Sequence, residues 1–142
     1  MHRVKLLARN LYRRFPWLDP QIAFISNLPP KAKVLDLGSH KGFSIRKWLD
    51  VRPDLKFTAV DIIDRSEDMP VVVHFYQMNC TKTRYPFRDG SFDAVTIVHL
   101  LEHLPPGNHN TVIREIYIVL KLGGRYTPKR LVLEVFYFPL FA

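Results

Sequence analysis

Three groups of residues have the types and spacing to do chemistry. Gly38-Ser39-His40-Lys41-Gly42 follows a short apolar run and precedes a helical pattern. Glycines there let the backbone come close to a ligand, and the helix N-terminus beyond them offers unpaired N–H groups to an anionic group. A nucleotide-like ligand is the natural occupant. The dinucleotide fingerprint G-x-G-x-x-G is nevertheless absent, because His40 stands at its second glycine and Phe43 where a small third residue is needed. A pyrophosphate is therefore disfavoured. Asp61 closes a second apolar run 23 residues after Gly38. A carboxylate at that place has two acceptor oxygens for the two hydroxyls of a ribose diol, although a solvated loop aspartate is the plain alternative. Finally, His99-Leu100-Leu101-Glu102-His103 spells H-x-x-E-H, the spacing that puts two histidines one helical turn apart on a zinc ion. Such a site needs a third ligand well downstream on another element, for which Glu115 and Glu134 are the candidates, and no metal is expected.

Alternating strands and helices would position these residues. Lys33 to Leu37 reads as a buried parallel strand, followed by a helix with Ile45, Trp48 and Leu49 on one face. Further strands are expected at 57–61, 71–78, 92–98 and 131–136. Val112, Ile113, Ile116 and Leu120 mark a helix that ends with Lys121 in its last turn and Gly123-Gly124 beyond it. The pattern predicts an α/β fold, a doubly wound, mostly parallel, Rossmann-like sheet of about five strands. Only about nine residues separate Asp61 from Val71, which leaves room for a turn but hardly a helix in the second crossover. Ahead of the sheet, Val4, Leu7, Leu11 and Phe15 recur at helical spacing, with Lys5, Arg9 and Arg13 in a row on another face. Residues 1–30 are thus read as a basic amphipathic helix and lead-in.

Composition sets the outer limits. The 142 residues suit one domain, and 47% hydrophobic with 24% charged residues is an ordinary globular balance. Cys80 is the only cysteine, so no intramolecular disulfide can form and a cytoplasmic setting is expected. Basic residues interrupt the N-terminus where a secretion signal would need an apolar run. The longest apolar stretch, Leu131 to Ala142, has about half the length of a membrane span, so none is expected. A net charge of +8, concentrated at the two ends, speaks to association rather than to fold.

The motifs also carry a family likeness. Val34-Leu35-Asp36-Leu37-Gly38-Ser39-His40-Lys41-Gly42 resembles the first motif of class I S-adenosylmethionine-dependent methyltransferases, an acidic residue followed by G-x-G-x-G. Ala59-Val60-Asp61-Ile62 is similar to their second motif. Pro86 to Val95 resembles the run PF-x-DGSFD-x-V, Leu101 to Leu104 the segment LEHL, and Arg114 to Gly124 the segment E-x-x-RVLKPGG. The five stand in the family's order, and they are most similar to its small-molecule branch, methyltransferase type 11.

The resemblance implies that residues 31–142 form the methyltransferase core and that the cofactor is S-adenosylmethionine. By the same likeness Asp36, Gly38, Ser39 and Gly42 would surround its methionine part, Asp61 would take the ribose hydroxyls, and Ile62 would lie on the adenine. Asn79 and Cys80 fall beside the adenine edge, where the Asn79 side chain would accept from the amino group and the Cys80 N–H donate. His40 replaces the middle glycine, so its ring must swing aside, contact the methionine carboxylate or obstruct the site. His99, after the fourth strand, is the residue placed to face the methyl group and the candidate catalytic histidine. The implied acceptor is a small molecule, and nucleic acid is disfavoured because the lysine-containing catalytic set of RNA ribose methyltransferases is not matched. The alternatives are a catalytically weak cofactor-binding or partner-binding subunit and an RNA methyltransferase fragment. The family's last two strands are missing from the sequence, which suggests a C-terminal truncation and a fifth strand left at the sheet edge, where it would pair two copies into a homodimer.

Overall fold

The protein is described by a computed structural model covering residues 10–11, 14–15, 19–98, 100–121 and 130–134. Its elements in chain order are α1 (Pro20–Ser26), β1 (Lys33–Leu37), α2 (Phe43–Val51), β2 (Lys56–Asp61), β3 (His74–Gln77), β4 (Ala94–Val98), α3 (His109–Val119) and β5 (Arg130–Glu134). All strand pairs are parallel, in the order β3-β2-β1-β4-β5. The order reverses between β1 and β4, and such a switch point opens a crevice at the carboxyl ends of these strands.

Residues of β1 alternate between two cores. Val34 faces Ile22 and Ile25 of α1, Ile45 and Trp48 of α2, and Phe57 of β2. Trp48 stacks on Phe57 with ring centroids 5.8 Å apart. Leu35 and Leu37 face the other way, onto Val95, Ile97, Val112 and Ile116. Each fully buried large side chain contributes roughly 1.5 to 3 kcal/mol, so both layers hold the carboxyl end of β1 in place.

α1 is an element that sequence pattern missed, because Pro16 and Pro20 read as breaks. Pro20 instead occupies the first helical turn, where its missing N–H costs nothing. Asp19 caps the helix, accepting from the N–H groups of Gln21 and Ile22, and pairs with Lys47 at 3.0 Å. Of the expected N-terminal helix only four residues are described, among them Phe15, whose N–H donates to the Leu11 carbonyl.

Further differences from the expected elements lie at strand and helix ends. The strand expected at 71–78 is only His74–Gln77: Val73 donates to the Pro70 carbonyl in a turn, which leaves Val71 and Val72 exposed. The strand expected from Phe92 begins at Ala94, with Phe92 in an isolated bridge to Leu120. That bridge also ends α3 at Val119, before Lys121, expected in its last turn, since Leu120 turns extended and Lys121 donates to the Phe92 carbonyl. Between β2 and β3 the chain makes just one 3-10 turn, Ser66–Asp68, as the short crossover requires. The fifth strand, expected at 131–136, is described at Arg130–Glu134 beside β4, with 135 and 136 outside the described residues. Residues 135–142, on which pairing of two copies in part depended, lie outside the described residues.

Candidate functional site

The loop after β1 is laced to β2. Gly38 and Ser39 both donate from their N–H groups to the Val60 carbonyl, at 2.8 and 3.0 Å. The Ser39 hydroxyl donates to the Asp36 carbonyl and accepts from the Val60 N–H. Ser39 is thereby a strut between the strands, and its hydroxyl is already committed at both ends. Gly38 has a left-handed φ of +73°, and a Cβ there would come within 3.1 Å of the Leu100 side chain. Gly42, with φ +77°, is the left-handed cap of α2, and its Cβ would meet the Met69 sulfur at 2.9 Å. It packs against the short crossover and is not among the residues that line the two cavities described below.

Two carboxylates stand over this loop. Asp61 accepts from the His40 N–H at 2.9 Å through Oδ2 and from the Ile63 N–H at 3.0 Å through Oδ1. Each oxygen keeps a further lone pair, so the group is fixed in direction without being used up. His40 reaches it by adopting φ +51°, a conformation that histidine tolerates better than most residues. Asp36 is only 2% exposed, and the Thr96 hydroxyl donates to its Oδ1 at 2.6 Å. Burial pushes the Asp36 carboxyl up to about 6, aided by the negative charge of Asp61 and opposed by the Thr96 and Ser39 hydroxyls.

These groups border two adjoining cavities of about 300 and 480 Å³, which share Gly38, Asp61, Leu100 and His103 as walls. The smaller is mostly apolar, formed by Val60, Ile62, Met78, Cys80 and Leu104, with Asn79 and Thr81 at its side. The larger holds Asp36, Ser39, His40, Phe43 and Ser44. Ile62 is 62% exposed at the mouth of the first and Phe43 70% exposed beside the second. Burial pushes the Cys80 thiol up, and the Cys80 carbonyl accepts from the Tyr85 hydroxyl at 2.7 Å. Glu115 reaches in from α3 to accept the N–H groups of Arg84 and Tyr85, which ties down the loop behind this wall.

The sequence-derived set is therefore brought together with two exceptions and one correction. Gly42 is not among the lining residues, and His99 lies outside the described residues. Asn79 lines the apolar cavity, but its Oδ1 accepts from both the N–H and the hydroxyl of Thr81, at 3.0 and 2.7 Å. Both lone pairs are taken, so it is not the free acceptor expected for an adenine amino group. Pattern reading also missed His103. That residue counted only as half of a zinc motif, whereas a 3-10 turn at Leu101–His103 sets it on the wall common to both cavities. Among the described residues no three His, Cys, Asp or Glu side chains gather to hold a metal ion.

An apolar slot, a carboxylate at its mouth and a polar cavity with a buried acid suit a base, a ribose diol and a cationic amino-acid tail in turn. Residues 35–127 match the family described as Methyltransferase domain. The chain belongs to the class I S-adenosylmethionine-dependent methyltransferases, type 11 branch. Methyltransferase str3 of Strobilurus tenacellus is 34% identical over 109 residues, 76% of this chain and 38% of that protein. The tRNA (carboxymethyluridine(34)-5-O)-methyltransferase alkbh8 of Xenopus tropicalis is 29% identical over 115 residues, 80% of this chain and 17% of that one. The methyltransferase chain thus spans about two fifths of one curated relative and a sixth of the other. Among solved structures, the 1,6-didemethyltoxoflavin-N1-methyltransferase of Burkholderia thailandensis, with its substrate and S-adenosylhomocysteine bound, matches at a TM-score of 0.55. It is 20% identical, over 84% of this chain and 59% of that one, a likeness of fold.

Proposed function

We propose that this methyltransferase chain binds S-adenosylmethionine across the two cavities and transfers its methyl group to a small-molecule acceptor. The observation that carries the proposal is Asp61, held by two backbone N–H groups on the wall the cavities share, with lone pairs left for a ribose diol. The adenine would lie in the apolar cavity against Ile62, Met78 and Leu104, with the Asn79 and Cys80 segment at its edge. Asp36, Gly38 and His40 would border the methionine part, and Ser39 would support them through the backbone. The cofactor, when bound, supplies a methyl group on a sulfonium, and the chain's contribution is to hold donor and acceptor in line and to exclude water. Where the acceptor must lose a proton, a histidine after β4 takes it: His99 on sequence grounds, or His103 on its position at the shared wall.

We assign the core to residues 31–142 with 1–30 as lead-in, although Ile22 and Ile25 of α1 close one face of that core. Among the described residues no helix is long and apolar enough to cross a membrane, and we place the chain in the cytoplasm on its lone cysteine. An RNA acceptor is the second reading, favoured by the likeness to a tRNA methyltransferase and by exposed Lys82, Arg84 and Arg88 on the loop behind the apolar cavity. Incubation with methyl-labelled cofactor and either a small-metabolite extract or total tRNA separates the two. Label in the small-molecule fraction supports the proposal, and label confined to tRNA replaces it with the second reading. Asp61→Ala should weaken cofactor binding by about 1.5 to 3 kcal/mol while leaving the fold intact. Unchanged affinity in a folded variant removes Asp61 from the site.

A further inference from the structure

We propose that Thr96 is a positioning residue for the cofactor: from β4, outside both cavities, its hydroxyl fixes the Asp36 carboxylate so that the second oxygen faces the cavity and receives the cofactor's ammonium group. The inference rests on the cofactor assignment above.

Its basis is a mismatch between where Asp36 sits and what surrounds it. A carboxylate 2% exposed on a central strand should be neutralised by a cation or saturated by donors. Among the described residues no Lys or Arg pairs with it, and Thr96 is the side chain that hydrogen bonds to the carboxylate, at 2.6 Å on Oδ1. The Ser39 hydroxyl donates to the Asp36 carbonyl and, standing beside the carboxylate, favours its ionised form less than Thr96 does. Thr96 is itself 2% exposed, pairs with Asp36 in the β1–β4 register, and lines neither cavity. A valine of the same shape would fill that place in an apolar strand, so the hydroxyl has a polar task, and of its two acceptors the Asp36 carboxylate at 2.6 Å is far closer than the Leu35 carbonyl at 3.5 Å.

Chemistry names the missing partner. The methionine part of the cofactor carries an α-ammonium, a cation with three donors, and a buried carboxylate on a cavity wall with a hydroxyl on only one of its oxygens is complementary to it. The other titratable groups on that cavity are Asp61, His40 and His103. Asp61 is the negative neighbour and adds to the attraction for a cation, whereas neither histidine can supply a negative charge. Burial holds the Asp36 carboxyl at about 6, so the acid is ionised and ready for a cation at neutral pH but not in mild acid. Without the Thr96 hydrogen bond the ionised form would keep only the weaker support of Ser39, and the transition would move to higher pH.

Calorimetric titration with S-adenosylhomocysteine, which keeps the ammonium and lacks the sulfonium charge, from pH 5 to 8.5 tests the proposal. For the wild type, affinity should fall as pH drops through about 6. In Thr96→Val that fall should begin about one pH unit higher, leaving affinity near pH 6.5 about threefold weaker, the difference growing toward about tenfold in acid and vanishing at pH 8.5. Thr96→Ser, which keeps the hydroxyl, should restore the wild-type profile. Carbon-13 NMR of the Asp36 carboxyl in the unmutated chain gives an independent reading: saturating S-adenosylhomocysteine should lower its titration midpoint by at least one unit. A folded Thr96→Val with the wild-type profile overturns the proposal. So does an Asp36 midpoint that the ligand leaves unmoved, even where the valine variant fails to fold. A wild type that binds no cofactor at any pH overturns the cofactor assignment and the proposal together, whereas binding that ignores Thr96 overturns the proposal alone.

Discussion

Arg52 and Asp36 are both charged groups held within the fold, and they are treated in opposite ways. The Arg52 guanidinium meets the Asp54 carboxylate through Nε and Nη2, each at 2.8 Å, and donates to the carbonyls of Ile25, Ser26, Leu28 and Pro29. Those are the orphan carbonyls at and after the end of α1, so one side chain closes a helix and anchors the chain entering β1. Asp54 accepts from the Lys31 N–H as well, and its partners hold its carboxyl well below the usual range. Asp36 has two neutral hydroxyls beside it, Thr96 at 2.6 Å on Oδ1 and Ser39, no cation among the described residues, and a carboxyl pushed upward. A charge that serves the fold is saturated by its neighbours. A charge left partly unpaired on a cavity wall costs stability.

The contrast can be broken most sharply at Arg52. Arg52→Ala strips four carbonyls and a carboxylate of their donor and should destabilise the chain by about 3 kcal/mol in urea unfolding, with little effect on cofactor affinity once folded. A loss below about 1 kcal/mol would show that water replaces the guanidinium freely.

Asp36→Asn should do the reverse. The folded-state value near 6 lies above the ordinary 3.8, so the folded chain holds this proton more tightly than the unfolded chain does. The cost of the buried charge is therefore absent below about pH 4, grows as pH rises to about 6, and is constant above. At pH 8 the asparagine variant should be more stable by roughly 2 to 3 kcal/mol, should lose that advantage at pH 4, and should bind the cofactor more weakly. Equal stability at both pH values would mean that Asp36 is not desolvated.

The smallest effect is expected at His40. His40→Gly relieves a left-handed φ but adds freedom to the unfolded chain, so stability should change by less than about 1 kcal/mol. The N–H that holds Asp61 belongs to the backbone and survives the change. Cofactor affinity should stay the same or improve, and a large loss would show that the imidazole itself is a ligand contact.

Legibility in the sequence followed the same division. β1, β2 and β4 are near-continuous apolar runs because they are buried on both sides, and the Gly38 turn and Asp61 follow from where such strands end. β3 was overread, since Val71, Val72 and Val73 have strand-like side chains while Pro70 places them in a turn. α1 was missed because two prolines masked a capped helix start. At the site, residue types named the loop and the ribose acid, but three facts depended on geometry that no spacing records: Ser39 and the Asn79 oxygen are occupied by the chain itself, Gly42 packs on Met69, and His103 stands where the two cavities meet.

The central claim is that the two cavities are one cofactor site. Calorimetry of the wild-type chain with S-adenosylmethionine and with S-adenosylhomocysteine at pH 8 tests it most directly. The account predicts saturable binding of both ligands at one site per chain, with either one displacing the other. Absence of binding by either ligand at millimolar concentration, in a chain shown to be folded, would contradict it.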